Sequence, residues 1–383
     1  MRIAMIHLGF PPEDVAGGSL YVYNLANELS RLGHGIDVYT YKPKNKTKRN
    51  DYPTEKNVRV KRLNYRYVPL LKEKVILNIN KSIDFRKYDL VHGFHPLYFT
   101  VSSVFNECKK KGIPFVNTVF DLGIFSSGIT RRLRFKTQLE GSLKKMAFGT
   151  TISKTTEKKL IEFLPETEPK IEFIPPGIDE KIFDPKKVNE ERIMRKYGIK
   201  SNCKNLLFVG RVIPSKGMEY LLEALEAVIE KRNKINLHVV GEVDANYKKK
   251  LEEKVNGSGL KGKVFFHSFT PIGDLPGVFK LSDLLVLPSF TEGEGFGLVV
   301  LEALAMGTPV ITTEIVGSSY LIKENPKYGI IVKEKNSDEL SNAIIELIEK
   351  KKAVNSRKII EDYSWGKVGR KMNEIYERVG KEK

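Results

Sequence analysis

The sequence predicts an α/β protein of two successive domains, each a doubly wound parallel sheet. Three observations predict it. Strand-like and helix-like apolar periods alternate from the first residues onward. The same alternation restarts near residue 205, after a Pro-Pro-Gly breaker at 175–177. The 383 residues, 41% of them apolar, exceed one domain of roughly 100–200 residues and supply two cores.

The elements follow in order. Ile3 to His7 form an apolar strand that Gly9-Phe10-Pro11-Pro12 ends. From Ser19 to Leu32, the residues Leu20, Tyr23, Leu25, Leu29 and Leu32 recur at near-helical spacing. Gly33 and Gly35 stop that helix before a second strand over Ile36–Thr40. Such a strand–helix–strand unit implies parallel pairing. Further strands are expected at Leu90-Val91, Phe115–Phe120 and Gly149–Ile152.

After the breaker, Asn205–Val209, Leu237–Val240, Val264–His267, Leu284–Leu287 and Pro309–Thr312 read as strands. Met218–Ile229 and Phe296–Met306 read as helices, and Trp365–Val379 as an amphipathic closing helix. The expected domains are therefore 1–178 and 179–364, both Rossmann-like, with 365–383 as the closing helix. In such sheets ligands bind at the carboxyl ends of the strands, so the post-strand loops are where chemistry is sought.

Charge separates the two halves. The chain holds 65 Lys+Arg and 47 Asp+Glu, a net of +18; residues 1–150 hold 26 and 12, a net of +14. That asymmetry suits an anionic partner for the first half: nucleic acid, an acidic lipid surface or a phosphorylated acceptor. Helix-turn-helix, RNP-type and zinc-finger patterns are all missing, so nucleic acid is not expected as a partner. Two cysteines, Cys108 and Cys203, cannot build a disulfide framework and fit a reduced cytoplasmic setting. The opening MRIAMIHLGF reads as a strand rather than a secretory leader. No apolar run approaches the ~18 residues of a membrane span.

Two loops carry the chemistry. After the Leu284–Leu287 strand comes a Gly-rich stretch and then an apolar helix containing Glu302. Amides at a helix start suit a phosphate, and Gly295 and Gly297 allow close backbone approach. A carboxylate on an apolar helix needs a partner, and a ribose diol would serve Glu302, as sugar hydroxyls would serve Glu294. After the Asn205–Val209 strand, Gly210-Arg211-Val212-Ile213-Pro214-Ser215-Lys216-Gly217 offers a guanidinium and an ammonium for a diphosphate. It is not a Walker A loop.

These motifs, GRVIPSKG at 210–217 and Glu294 with Glu302 in an E-x7-E pattern, resemble those of the retaining glycosyltransferases of family 4, group 1. Gly17-Gly18 is similar to that family's first glycine loop, FIPPGID at 173–179 to its interdomain connection, and YSWGKV at 363–368 to the start of its closing helix. The resemblance implies a GT-B fold, two Rossmann-like domains facing across a cleft. It implies Arg211 and Lys216 on the donor diphosphate, Glu302 on the ribose and Glu294 on the transferred sugar. Phe296, Gly297 and Leu298 would offer amides, while Gly17 and Gly18 approach the phosphates from the first domain. The implied reaction moves a hexose or N-acetylhexosamine from a nucleotide sugar to a hydroxyl acceptor. It needs no enzymic nucleophile, no metal and no cofactor beyond the donor, and the chain has no D-x-D spacing.

One departure stands out: Phe120 occupies the position where many relatives carry a histidine. His92, His95 and Asp121 are the remaining candidates for the acceptor side. The first domain's basic stretches, Arg59–Lys74 and Arg131–Lys136 leading to Lys144-Lys145, suit a lipid-linked or phosphorylated acceptor at the inner face of a membrane. A stripe of Leu139, Leu143 and Met146 accompanies the second. A 2-epimerase of the same fold and a catalytically impaired nucleotide-sugar-binding protein are the alternative readings.

Overall fold

The computed structural model describes residues 1–43, 52–69, 73–95, 99–121, 146–267, 270–291, 294–350 and 354–381. The basic segment 131–145, with Leu139 and Leu143, lies outside the described residues, as does a further basic run of the sequence, Lys42 to Arg49, beyond Pro43. The chain divides into two compact units, Met1–Gly177 with Trp365–Lys383, and Ile178–Ser364.

The first unit holds β1 (Arg2–Ile6), β2 (Gly35–Tyr41), β3 (Val58–Leu63), β4 (Tyr65–Val68), β5 (Glu73–Ile76), β6 (Leu90–Phe94), β7 (Phe115–Val119), β8 (Phe148–Thr151) and β9 (Ile171–Phe173). Seven of these form one sheet, in the order β3-β2-β1-β6-β7-β8-β9. All its pairings are parallel. Its central strands are buried along their length, as helices covering both faces require. β4 and β5 pair as a separate antiparallel hairpin. β3 gave no apolar signal because Arg59, Lys61 and Arg62 interrupt it, which an edge strand tolerates.

The closing helix, Trp365–Lys381, packs in this first unit. It approaches the first helix, Gly17–Arg31, so closely that a Cβ on Gly369 would stand 2.9 Å from the Glu28 side chain. His92 anchors it. Its Nδ1 is hydrogen-bonded to the Tyr376 hydroxyl, and its Nε2 lies 2.7 Å from Thr118 Oγ1, which in turn meets Thr150 Oγ1 at 2.7 Å. Burial pushes the His92 imidazole down to about 3, so it is neutral. His92 therefore belongs to the core of this unit, not to a ligand-facing surface, because both ring nitrogens are already engaged.

The second unit holds β10 (Lys204–Val209), β11 (Ile235–Val240), β12 (Val264–His267), β13 (Leu284–Leu287), β14 (Val310–Thr313) and β15 (Gly329–Val332). They form one parallel sheet in the order β12-β11-β10-β13-β14-β15. Strand order reverses between β1 and β6 in the first sheet and between β10 and β13 in the second. The carboxyl ends there are the ligand positions of a doubly wound sheet.

Candidate active site

At the reversal of the second sheet, two loops meet. The β10 loop turns through Gly210, which has φ of 143°, and Gly217, with φ of 75°, before the helix Met218–Lys231. The β13 loop leads to the helix Leu298–Ala305. That helix starts two residues later than the apolar period predicts, because Gly297 adopts a left-handed φ of 78° and serves as its cap residue. Gly297 provides no side-chain cap, so the Leu298 and Val299 amides keep their donor capacity, while Val300 N bonds the Gly297 carbonyl at 2.9 Å. The loop geometry is fixed by two backbone bonds: Ser318 N donates to the Phe296 carbonyl at 2.8 Å, and Phe290 N to the Ser215 carbonyl at 3.0 Å. Phe296 is buried, its ring edge-on to Tyr320.

Lys216 and Glu294, one from each loop, form a partly buried ion pair through Glu294 Oε2. Burial, and then the neighbouring Arg211 guanidinium, pull the Lys216 ammonium down to about 8. Arg211 is exposed and makes no ion pair among the described residues. Glu302 lies one turn into the Leu298–Ala305 helix, where desolvation pushes its carboxyl up to about 7. It has no hydrogen-bond or ion-pair partner among the described residues. The structure thus gathers Arg211, Lys216, Glu294, Phe296, Gly297, Leu298 and Glu302 at one sheet edge. An unpaired guanidinium, an ammonium held by a single carboxylate, free amides at a helix start and an unpartnered carboxylate can together hold a molecule carrying phosphate and hydroxyl groups.

Sequence reasoning passed over Ser289. It is 1% exposed, and its hydroxyl donates to Glu294 Oε2 at 3.1 Å. A small hydroxyl residue at a strand exit, five positions before a loop carboxylate, was the available signal.

In the first unit, Gly17 is exposed and opens the Gly17–Arg31 helix, whose cap residue Ala16 makes no side-chain cap. A Cβ on Gly18 would stand 3.0 Å from the Phe120 ring and 3.4 Å from His7 Nε2. Phe120 is buried, edge-on to His7 and Tyr21 and stacked with His95 at 6.3 Å. His95 follows β6 in the left-handed region, φ 62°, and burial holds its imidazole below the usual range, with Asp121 opposing. Gly18, Phe120, His95 and Asp121 therefore share the carboxyl edge of the first sheet. The Arg59–Lys74 stretch is partly committed: Lys61 bonds Asp37 at 2.8 Å, Arg62 bonds Glu13 at 2.7 Å and Lys74 lies over Tyr41. Arg59 and Arg66 are exposed. Among the described residues no helix is long and apolar enough to cross a membrane.

Comparison with known proteins places this site in a family. The description "Glycosyltransferase Family 4" matches residues 15–181, and "Glycosyl transferases group 1" matches 189–364. An uncharacterized glycosyltransferase of Methanocaldococcus jannaschii is 27% identical, the alignment covering 98% of each chain. A D-inositol 3-phosphate glycosyltransferase of Corynebacterium jeikeium is 27% identical over 91% of this chain and 88% of its own. Among solved structures, Anabaena HepE in complex with UDP superposes with a TM-score of 0.80 at 18% identity, covering 98% of this chain and 99% of its own. With one match on each unit, the chain belongs to the family 4, group 1 glycosyltransferases and has their GT-B fold.

Proposed function

We propose that this glycosyltransferase moves a hexose or N-acetylhexosamine from a nucleoside-diphosphate sugar to a hydroxyl acceptor, with retention at the anomeric carbon. The observation that carries the reading is the Lys216–Glu294 pair beside Arg211 and the free start of the Leu298–Ala305 helix. In this reading the bond from the anomeric carbon to the diphosphate breaks, and its electron pair leaves with the diphosphate. Lys216 and Arg211 stabilise that charge, supplying what a divalent metal supplies elsewhere. The acceptor oxygen bonds the same face, and its proton passes to an oxygen of the departing diphosphate. Glu294 holds hydroxyls of the moving sugar, and Glu302 accepts from the ribose diol, the partner its desolvated carboxylate lacks.

The complex of HepE with UDP supports UDP as the nucleotide. The name of the Corynebacterium relative and the +14 charge of residues 1–150 support a phosphorylated acceptor. His95 and Asp121 are the residues proposed to meet it. The exposed Arg59 and Arg66 leave a cationic surface for an acidic lipid acceptor as well.

Calorimetric titration with UDP, GDP and ADP in EDTA, followed by UDP-glucose, UDP-N-acetylglucosamine, GDP-mannose and ADP-glucose, tests the donor half. Saturable binding of one nucleotide is expected without metal; binding only on addition of Mg²⁺ or Mn²⁺ would overturn metal independence. Incubating the binding sugar nucleotide with inositol phosphates or anionic glycolipid, and reading the anomeric coupling of the product by NMR, tests acceptor and retention. An inverted product would refute the mechanism.

A further inference from the structure

Three facts about Ser289 converge on Glu294. Its hydroxyl donates to the same carboxylate oxygen, Oε2, that the Lys216 ammonium holds. Its own backbone is fixed, since the Ser289 carbonyl accepts from Thr313 Oγ1 and the next residue, Phe290, is tied to Ser215 at 3.0 Å. Its side chain is sequestered, at 1% exposure. One donor on Glu294 is therefore an ammonium at the end of a four-carbon stem, and the other is a short side chain on an immobile strand exit.

These two donors respond differently to a diphosphate. A polyanion competes with one carboxylate for Lys216, and it carries more charge. Turning Lys216 toward it would strip Glu294 of its counter-ion in a partly buried site, where an unsatisfied carboxylate is costly. The hydroxyl of Ser289 remains on Oε2 throughout. We propose that Ser289 is a positioning residue that keeps Glu294 aimed at the transferred sugar once Lys216 has turned to the donor diphosphate. The inference rests on the roles proposed above for Lys216 and Glu294.

A double-mutant cycle tests it. Wild type, Ser289→Ala, Glu294→Ala and the double variant are titrated with UDP and UDP-glucose, GDP and GDP-mannose, and ADP and ADP-glucose. The expected result for Ser289→Ala is nucleotide affinity within about twofold of wild type, while the added affinity due to the sugar falls about tenfold. In the Glu294→Ala background, where Ser289 has no carboxylate to hold, the same substitution should change neither affinity by more than about twofold. Equal losses in both backgrounds, or equal losses of nucleotide and sugar-nucleotide affinity, would overturn the assignment. Should Ser289→Ala melt well below wild type, Ser289→Cys, of similar size but a weak donor, carries the same cycle and the same criteria. Failure of wild type to bind any of the six probes would instead sink the donor-site reading itself, and this inference with it.

Discussion

Gly217 lies against the backbone of Pro288: a Cβ on it would stand 2.1 Å from the Pro288 carbonyl oxygen. This contact joins the β10 loop to the β13 loop immediately beside Lys216. Gly217 also adopts φ of 75°, a region L side chains enter at a cost of about 1–2 kcal/mol. Gly217→Ala therefore meets two penalties at once, strain and a backbone clash that no rotamer relieves. We expect a loss of about 2–4 kcal/mol in unfolding free energy together with a nucleotide affinity at least tenfold weaker. Chemical denaturation and calorimetry measure the two. Full affinity in the variant would show that the spacing of these loops is not what places Lys216.

Glu302 gives a prediction with a worked sign. Its carboxyl is raised from 4.5 to about 7 by desolvation, so the folded chain favours the protonated form. The associated stability is fully present below pH 4.5 and is lost as pH rises through 7. Glu302→Gln should thus stabilise the free protein at pH 8 by on the order of 2 kcal/mol, with the gain fading toward pH 4.5. Nucleotide affinity should move the other way. As the proposed ribose acceptor, charged Glu302 is needed for binding, so wild-type affinity weakens below pH 7 while the Gln variant is weak at every pH. Thermal melts and titrations across pH 5–8 separate these effects; a variant that binds nucleotide like wild type removes the ribose assignment.

The buried chain Tyr376–His92–Thr118–Thr150 predicts acid sensitivity of the first unit. His92 titrates near 6.5 when unfolded and about 3 when folded, so stability is whole above pH 6.5 and declines below it. Each such histidine contributes a slope of about 1.4 kcal/mol per pH unit across that interval. His7, lowered to about 4 by burial, adds its own share, so the single-residue test needs a variant. His92→Phe should flatten the acid limb by one proton while costing about 1–3 kcal/mol at pH 8 through the Tyr376 hydroxyl it leaves unpaired. Unfolding free energies measured from pH 8 to pH 4 check this. An unchanged acid slope would mean that His92 is not the group taking up the proton.

The sequence made the sheet centres and the two loops legible, and the reasons are physical. Central parallel strands such as Leu284–Leu287 are continuous apolar runs bounded by breakers, so β13 appears with the boundaries expected. The edge strand β3 and the β4–β5 hairpin were invisible because charged residues replace the apolar period where one side faces solvent. In the site, residue types were readable but pairings were not. Lys216 and Glu294 stand 78 positions apart, and no local pattern says that their loops converge. The structural duty of His92 was hidden for the same reason, since its two partners lie 26 and 284 residues away.

Lys216 supplies the last prediction, because its lowered ammonium sits in an ion pair whose carboxylate can be neutralised. Burial and Arg211 lower it to about 8, and its partner in the ion pair is the Glu294 carboxylate. A diphosphate requires the charged form, so nucleotide affinity should decline above pH 8, approaching tenfold per pH unit as one proton becomes linked to binding. Together with the loss below pH 7 expected from Glu302, this confines tight binding to a window between about 7 and 8. Glu294→Gln removes only that carboxylate's charge, leaving burial and Arg211 unopposed. Its alkaline break should therefore move below that of wild type, while Lys216→Arg, whose guanidinium stays charged, should abolish the break. Calorimetric affinities for UDP, GDP and ADP between pH 6 and 10 read both shifts. A break that stays in place in Glu294→Gln would show that this carboxylate does not set the charge of Lys216, and one that survives in Lys216→Arg would assign the titration to another group.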